Sequence, residues 1–172
     1  MRAIVFSKKN TPVLIEKPTE KPQSSQVLIE IHASGICHTD LEVMRGNYGS
    51  SAFPLIPGHE YAGLVSQIGP DVTNLQVGDR VVVDPNLECG SCPACKKGWA
   101  HLCETLGAYG VTCDGGFAEY SLVQASQVHS IGDMPYEIAA LAEPLGCVLN
   151  GLHAAQAHRA GSARIVGAGP IP

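Results

Sequence analysis

Short apolar runs, separated by glycine, proline and polar turns, fill most of the chain up to about residue 131. Alternation of apolar and polar residues over about four to eight positions is typical of half-buried β-strands. The pattern predicts strands at 3–6, 13–16, 26–32, 61–68, 79–83, 116–124 and 127–131. This part of the chain is therefore predicted to be mainly β.

Apolar residues at helical spacing interrupt this pattern, and they predict helices at 37–45, 135–142 and 145–157. Around the first helix the apolar face is formed by Ile36, Leu41 and Met44, and Gly46 follows as a helix-ending residue. The apolar run at 163–167 is a candidate buried strand that leads into a glycine-rich turn. A β-rich region followed by helices and one more strand indicates that an α/β unit begins near residue 143.

Composition limits the possible partners and the cellular compartment. The 172 residues carry a net charge of −5 with no run of lysine or arginine, which argues against nucleic acid and membrane partners. No signal-peptide pattern is present, and no apolar stretch reaches the ~20 residues of a membrane span. A cytoplasmic location is therefore expected. Reduced cysteines are the rule there, so the seven cysteines favour metal ligation over disulfides.

Four of these cysteines lie in a lobe at 85–107 with the spacing C-x2-C-x2-C-x7-C: Cys89, Cys92, Cys95 and Cys103. Pairs spaced in this way can bind one zinc ion tetrahedrally, and Gly90 and Gly98 permit the tight turns required. Four thiolates leave no open coordination position, so the predicted site is structural. The alternatives are an iron–sulfur cluster or reduced cysteines in a surface loop.

A second candidate site joins Cys37 to His59. Taken alone, each residue is a weak signal, because a lone cysteine is often a small buried apolar residue and a histidine after Pro-Gly is often a turn residue. Asp40 and Glu60 strengthen the case, since a carboxylate can orient a histidine ligand or bind metal itself. Thiolate, imidazole and carboxylate together are the donors of a catalytic zinc that keeps an open position.

Six motifs follow one another in order: Gly-Ile-Cys-His-Thr-Asp at 35–40, Gly-His-Glu at 58–60, Val-Gly-Asp-Arg-Val at 77–81, the four-cysteine lobe, Asp-Gly-Gly-Phe-Ala-Glu-Tyr at 114–120 and Gly-Ala-Gly-Pro at 167–170. This ordered set resembles the zinc-dependent medium-chain dehydrogenase/reductase family, over essentially the whole chain. Ala-Glu-Pro-Leu at 142–145 is similar to its polyol branch, which includes sorbitol, xylitol and threonine dehydrogenases.

The resemblance implies a mainly β fold with some α. A GroES-like β-barrel catalytic domain is expected over residues 1–142, with the structural-zinc lobe at 85–107. Residues 143–172 are then expected to hold a linking helix and the first strand of a truncated Rossmann domain. The full-length protein is expected to be a homodimer or homotetramer.

The implied activity is zinc-dependent, NAD(P)-linked oxidation of a polyol, a sugar alcohol or a secondary alcohol to the ketone. Within the same scaffold, a threonine or primary-alcohol dehydrogenase is the alternative. From a different class comes a zinc-binding module without catalysis, such as an inert truncated paralogue. Two zinc ions per chain are expected, one catalytic and one structural.

The resemblance also implies the ligands of the catalytic zinc. Cys37 and His59 are direct ligands in this reading, and Glu60 is the third ligand in polyol-type members. Glu143 occupies another ligand position of the family, and Cys147 is the alternative to it. The choice between Glu60 and Glu143 stays open at this point.

Three further residues receive roles from the resemblance. Thr39 is expected to hydrogen-bond the substrate hydroxyl and to start its proton relay. His38 is expected near the cofactor pyrophosphate or in that relay, the alternative being an exposed turn histidine. Asp40 is expected to hold His59 by a hydrogen bond.

The final motif begins a dinucleotide-binding turn, with Gly167 and Gly169 as the first two glycines and Pro172 where the third is expected. The first two glycines serve the turn and the approach to pyrophosphate. The 172 residues contain neither the helix that follows nor the acidic residue ~20 positions later that binds the ribose. The isolated chain is therefore predicted not to bind NAD(P) and to be inactive.

Overall fold

The computed structural model describes residues 1–48, 52–159, 161–162 and 164–167. The described residues form nine strands: β1 Arg2–Lys8, β2 Thr11–Glu16, β3 Gln26–Ser34, β4 Tyr61–Ile68, β5 Arg80–Val83, β6 Asn86–Leu87, β7 Gly107–Ala108, β8 Tyr120–Gln124 and β9 Val128–Ser130. The mainly β composition predicted from the apolar pattern is confirmed.

Four α-helices accompany the strands: α1 His38–Arg45, α2 Pro93–Lys96, α3 Tyr136–Ala139 and α4 Ala142–Ala154. Three short 3-10 helices lie at Ala100–Leu102, Ala125–Gln127 and Ala157–Arg159. Within the part of the chain that the structure describes, every helix is too short or too polar to cross a membrane.

The strands form one large antiparallel sheet and two small ones. The large sheet has the order β8-β3-β4-β5-β9, and β1 pairs with β2 and β6 with β7 in two-stranded sheets. Single bridges from Ala3 to Ala118 and from Phe6 to Leu55 attach the β1–β2 ribbon to the rest. The GroES-like architecture is built from these separate sheets, and they do not close into one hydrogen-bonded cylinder among the described residues.

The main core lies on one face of the large sheet. Its fully buried members are Val27, Ile29, Tyr61, Val65, Val81, Val83 and Val123, mostly at alternate positions of the strands. Each such side chain stabilises the fold by about 1.5–3 kcal/mol through removal from water. The buried Tyr61 hydroxyl is satisfied by Ser121 Oγ at 3.0 Å. Tyr61 immediately follows His59 and Glu60, so the core fixes the strand that carries them.

Helix α1 buries a different face from the one that its spacing predicted. Its buried residues are Asp40 and Val43, whereas Ile36 just before the helix is 80% exposed and Leu41 is also exposed. The carboxylate of Asp40 accepts backbone hydrogen bonds, which compensates for the loss of water around a buried charge. The helix ends at Gly46 in the left-handed conformation, as the sequence predicted.

Helix α4 begins at Ala142 and not at 145, and the predicted helix at 135–142 is reduced to α3. Pro144 lies in the first turn of α4, where its missing N–H breaks no helical hydrogen bond. No residue of α4 is buried. One side of the α3–α4 segment carries an exposed row of apolar side chains, here termed the leucine face: Ile138, Leu141, Leu145, Leu149 and Leu152.

Two predicted strands differ from the structure. Of the strand predicted at 116–124, only Tyr120–Gln124 is regular, because 115–117 instead pairs as an irregular segment with 56–58. Of the strand predicted at 163–167, the described residues 164–167 are in no strand, and Ile165 and Val166 are exposed. A parallel strand is stabilised by neighbours on both sides, and no described strand pairs with this segment.

Candidate active site

Pairing of β3 with β4 brings the two predicted ligand segments together. Ser34 at the end of β3 lies opposite Tyr61 at the start of β4. Beyond the ladder, the Gly35 N–H donates to the Glu60 carbonyl oxygen at 2.7 Å. The chain segments just past this point carry Cys37 on one side and His59 on the other.

One donor atom from each of Cys37, His59 and Glu60 lies within 4.8 Å of the other two. His59 and Glu60 are buried and Cys37 is half-buried. A thiol, an imidazole and a carboxyl group gathered this closely can share one ion of the size of zinc. The structure thus brings together three of the four residues that the sequence named for the catalytic metal.

Asp40 connects both segments of this cluster. One oxygen of its carboxylate, Oδ2, accepts the backbone N–H of Cys37 at 2.8 Å. The other, Oδ1, accepts the backbone N–H of Gly58 at 3.2 Å and lies 3.4 Å from His59 Nδ1. The carboxylate is almost completely buried. Asp40 thus lies beside the His59 ring, although the structure shows no hydrogen bond to His59 Nδ1.

His59 is an electrostatically unusual histidine. Burial lowers the pKa of the His59 imidazole, but Asp40 and Cys37 together outweigh burial and raise that pKa to about 9. Its buried Nδ1 has no hydrogen-bond partner among the described residues. The surroundings of the ring therefore favour a positive charge, which a divalent metal ion supplies when the imidazole is neutral.

Glu60 packs directly over Gly35. A Cβ atom built on Gly35 would overlap Oε2 of the Glu60 carboxylate, so any larger residue must displace that side chain. Gly35 stands in the quoted motif, but the sequence alone assigned it no role. Its role is to leave room for the carboxylate beside Cys37.

Backbone hydrogen bonds hold the loop that carries His59 against the segment 115–117. Gly58 has a φ of 92°, and a Cβ atom there would overlap the Phe117 ring. The N–H groups of Gly116 and Phe117 donate to the carbonyl oxygens of Gly58 and Pro57 at 2.8 and 2.9 Å. Two adjacent glycines, at 115 and 116, permit this close approach of the two backbones. They stand in the motif at 114–120, but the sequence did not identify the segment that they contact.

Glu143 lies outside the three-donor group. It is half-buried in the first turn of α4, and its Oε1 accepts a weak hydrogen bond from Cys147 Sγ at 3.9 Å. Burial raises the pKa of Glu143; His59 opposes this shift, and the charges of Glu60 and Asp84 add to it. The charges of His59 and Glu60 therefore affect the pKa of Glu143, although Glu143 is not part of the three-donor group.

Glu143 and Cys147 form part of one wall of a cleft of ≈ 470 Å³. The cleft lies between β5, the four-cysteine lobe and α4, and many of its lining side chains are polar: Asp84, Asn86, His101, His129, Glu143 and Asn150. Other lining residues, such as Val82, Val83 and Ala142, are apolar, and a concave apolar surface with a few polar groups is the usual form of a small-molecule site.

The remaining predicted residues are placed as follows. Thr39 is half-buried in the first turn of α1, next in sequence to His38. The side chain of His38 is 75% exposed, and its Nε2 lies 3.5 Å from Glu42 Oε1. Gly167 is described with a φ of 123°, a conformation that favours glycine, whereas Gly169 lies outside the described residues.

The four cysteines of the lobe also meet. The sulfur atoms of Cys89, Cys92, Cys95 and Cys103 all lie within 4.8 Å of one another. Helix α2 begins after Cys92 with Pro93 at its first position, and Gly90 and Gly98 have φ values of 68° and 76°. The predicted turn glycines are thus in the left-handed region. A single tetrahedral zinc places its sulfurs about 3.8 Å apart, which fits this group.

Backbone N–H groups donate to the sulfurs. Cys92 N donates to Cys89 Sγ at 3.3 Å, and Cys89 N donates to Cys103 Sγ at 3.3 Å. Hydrogen bonds from Ser91 and from the Cys92 backbone lower the pKa of Cys89 to about 5. The pKa of Cys95 moves upward through burial and the neighbouring sulfur of Cys92. Several thiolates at this separation require a cation.

Comparison with known proteins agrees with this fold. Residues 23–133 match the model of the alcohol dehydrogenase GroES-like domain. The match covers more than half of the chain, and the chain belongs to this family. The resemblance to alcohol and polyol dehydrogenases of the zinc-binding medium-chain class is confirmed.

A D-altritol 5-dehydrogenase from Agrobacterium fabrum is 53% identical over 175 residues, which covers 99% of this chain and 52% of that protein. The chain therefore spans about half the length of this curated relative. An alcohol dehydrogenase from Escherichia coli CFT073, solved with NADH, superimposes with a TM-score of 0.85 at 33% identity, covering 91% of this chain and 46% of that one. A thermostable alcohol dehydrogenase from Pyrobaculum aerophilum, solved with bound cobalt and zinc, superimposes with a TM-score of 0.77 at 37% identity. The match covers 83% of this chain and 44% of that one.

Proposed function

We propose that this chain supplies the zinc half of an NAD(P)-linked dehydrogenase that oxidises a polyol, a sugar alcohol or another secondary alcohol to the ketone. The observation that carries the proposal is the donor group of Cys37, His59 and Glu60, with all three donor atoms within 4.8 Å. A buried imidazole whose surroundings favour positive charge completes the fit to a metal cation.

In this proposal Cys37, His59 and Glu60 are the protein ligands of a catalytic zinc. Glu60 is preferred over Glu143 because it alone of the two joins the donor group. Three protein ligands leave a position open for substrate, and zinc in such a site acts as a Lewis acid that lowers the pKa of an alcohol. Cys89, Cys92, Cys95 and Cys103 hold a second, structural zinc that has no open position.

The residues of this chain then divide the remaining tasks. Asp40 keeps the Cys37 and Gly58 backbones in place and faces the His59 ring. Thr39, in the first turn of α1, is proposed to hydrogen-bond the substrate hydroxyl and to pass on its proton. The side chain of His38 extends from the same turn into solvent, and we propose that it continues the relay or contacts the cofactor pyrophosphate.

The polar side chains of the cleft that Glu143 lines support the proposed substrate class. Asp84, Asn86 and Glu143 offer acceptors and donors that suit a chain of hydroxyl groups better than an alkyl chain. The 53% identity to a D-altritol 5-dehydrogenase supports the same class.

The nicotinamide cofactor accepts the hydride, and its binding is proposed to need residues beyond the 172 of this chain. Gly167 and Gly169 contribute the opening turn of the dinucleotide site. The isolated chain is therefore proposed to be inactive, and the complete protein to be a cytoplasmic homodimer or homotetramer. An oxidoreductase from Escherichia coli with 46% of its length matched was solved with NADH, which supports the cofactor class.

Metal analysis tests the two sites. The chain is expected to hold two zinc ions, and Cys37→Ser is expected to remove one of them while the far-UV circular dichroism spectrum stays unchanged. Cys113→Ser is the matched control, because Cys113 belongs to neither donor group. A chain that holds one ion regardless of Cys37 would overturn the catalytic site.

Turnover tests the reaction. The complete protein is expected to reduce NAD(P) with polyols more rapidly than with L-threonine or ethanol, and the 172-residue chain is expected to show no turnover. Thr39→Val should lower kcat/KM by about 100-fold, within the range for loss of a positioned proton-transfer group. Faster turnover with L-threonine or ethanol would move the assignment to those dehydrogenases, and no turnover with any alcohol would favour a non-catalytic module.

A further inference from the structure

We propose that Asp114 is a positioning residue of the catalytic metal centre, an inference that rests on the proposed function of Cys37, His59 and Glu60. Oδ1 of Asp114 accepts the backbone N–H of Ile56 at 2.9 Å. Ile56 lies only three residues before His59 in the sequence. The sequence motif at 114–120 contains Asp114, but the ligand set and the reaction assign it nothing.

The hydrogen bond from Ile56 to Asp114 is one of four that join the segment 56–58 to the segment 114–117. Gly115 N donates to the Ile56 carbonyl oxygen at 2.8 Å, and the next two N–H groups, of 116 and 117, donate to Gly58 and Pro57. Each carbonyl oxygen of 56–58 thus has a backbone partner from 115–117. Glycines make this possible, because a Cβ atom on Gly115 would overlap the Gly58 carbonyl oxygen.

The N–H groups of the same segment are bound entirely by carboxylates. Asp114 takes the N–H of Ile56, Pro57 has none, and Asp40 takes the N–H of Gly58. The two carboxylates come from different elements, Asp40 from helix α1 and Asp114 from the segment before β8. Together they fix the position and direction of the backbone that enters His59.

Asp114 is itself held in place from the other side. Its Oδ2 lies 3.5 Å from Lys17 Nζ, which also pairs with Glu20 Oε1 at 3.3 Å. The Asp114 side chain is 51% exposed, so the pair with Lys17 contributes little stability of its own. The effect of Asp114 on the metal centre therefore comes from its hydrogen bond to Ile56, three residues before His59.

Replacing Asp114 should therefore weaken the catalytic metal site and spare the structural one. Asp114→Ala is expected to lower zinc affinity at the catalytic site by about tenfold, the lower end for residues that orient metal ligands. Asp114→Asn keeps an oxygen acceptor for Ile56 N–H and is expected to stay within about threefold of wild type. Asp79→Ala is the matched control, because Asp79 Oδ2 accepts the Gln76 N–H at 2.9 Å in a separate turn.

Zinc affinity is measured by chelator competition, and the coordination geometry by the visible spectrum of the cobalt-substituted chain. Each variant is compared with the same variant carrying Cys37→Ser, so that the four-cysteine signal is subtracted. Asp114→Ala should shift the Cys37-dependent cobalt bands, and Asp114→Asn should restore them. Thermal unfolding and retention of the structural zinc establish that each variant is folded, and Asp114→Ser replaces the alanine variant if that one is not.

Unchanged affinity and spectrum in Asp114→Ala, with normal Cys37-dependent metal in wild type, would overturn the positioning role alone. An equal loss in Asp79→Ala, or no recovery in Asp114→Asn, would also overturn it, because a general loss of stability then explains the result. Absence of Cys37-dependent metal in the wild-type chain would instead overturn the proposed function.

Discussion

Asp40 and Gly58 are 18 residues apart in sequence, and the Asp40 carboxylate accepts the Gly58 backbone N–H at 3.2 Å. The same carboxylate accepts the backbone N–H of Cys37 at 2.8 Å. One buried side chain therefore fixes the distance between the segment that carries the thiol and the segment that carries the imidazole. The donor group depends on this connection as much as on the donors themselves.

Asp40→Ala should weaken both the fold and the metal site. It leaves two backbone N–H groups without their partner, and the expected loss is about 2–3 kcal/mol in the free energy of unfolding. Catalytic zinc affinity should fall by about 10–100-fold. Urea unfolding and chelator competition measure the two effects. Glu42→Ala on the same helix is the control, because Glu42 pairs only with exposed partners such as Arg45 and Asn47. Equal effects of the two substitutions would contradict the connecting role of Asp40.

Gly35→Ala should remove the catalytic metal while leaving the sheet folded. The added methyl group would overlap Glu60 Oε2, and the flexible carboxylate can move away at the cost of its place beside Cys37. Catalytic zinc affinity is expected to fall by at least about tenfold, the size of effect seen when a ligand loses its orientation. Gly151→Ala in α4 has open space around it, and this control should retain both zinc ions. Unchanged zinc affinity in Gly35→Ala would contradict the proposed role of Glu60 as a ligand.

Glu60→Gln and Glu143→Gln separate the two candidate third ligands. Glu60 belongs to the donor group and Glu143 does not. The loss of zinc affinity is therefore expected to be about ten times larger in Glu60→Gln than in Glu143→Gln. Removing a charge from Glu143 should instead act on the cleft and raise KM for the substrate in the complete protein. A larger loss of zinc in Glu143→Gln would reverse the assignment.

Cys89→Ser should unfold the four-cysteine lobe without unfolding the large sheet. A structural zinc site contributes its binding energy directly to folding, and three thiolates no longer close the tetrahedron. Proteolysis within 85–107 should accelerate, and the chain should retain one zinc ion that depends on Cys37. Cys113→Ser, a substitution of a half-buried cysteine outside both groups, should leave the lobe protected. If proteolysis within 85–107 is not faster in Cys89→Ser, the proposal of a structural zinc ion in the lobe is wrong.

Residue spacing predicted most of the strands because the core is built from alternating valine and isoleucine residues. β4 was predicted with its observed bounds, Tyr61–Ile68, and the cysteine spacing predicted the grouping of the four sulfurs that the structure shows. These signals are local, since each depends on residues within one strand or one loop. The catalytic donor set needed the resemblance as well, because Cys37 and His59 are distant in sequence.

Tertiary contacts decided what the sequence could not predict. The irregular segment at 115–117 looked like part of β8, but its N–H groups are used by the 56–58 loop. Helix α1 buries Asp40 because the charged group finds two backbone donors, which no hydrophobic pattern reveals. The apolar spacing at 145–157 predicted a helix, and the structure shows that no residue of α4 is buried.

The three donors Cys37, His59 and Glu60 lie just past the paired ends of β3 and β4, so a metal ion bound there would report on folding order. Cys37, His59 and Glu60 meet only after two strands that are distant in sequence have found their register. Cys89 and Cys103, the first and last cysteines of the lobe, are only 14 positions apart in sequence, so closing their loop costs less entropy than pairing distant strands. If both proposed zinc ions bind, the lobe is expected to acquire its ion first during refolding, and uptake of the second ion is expected to report that β3 and β4 are in register.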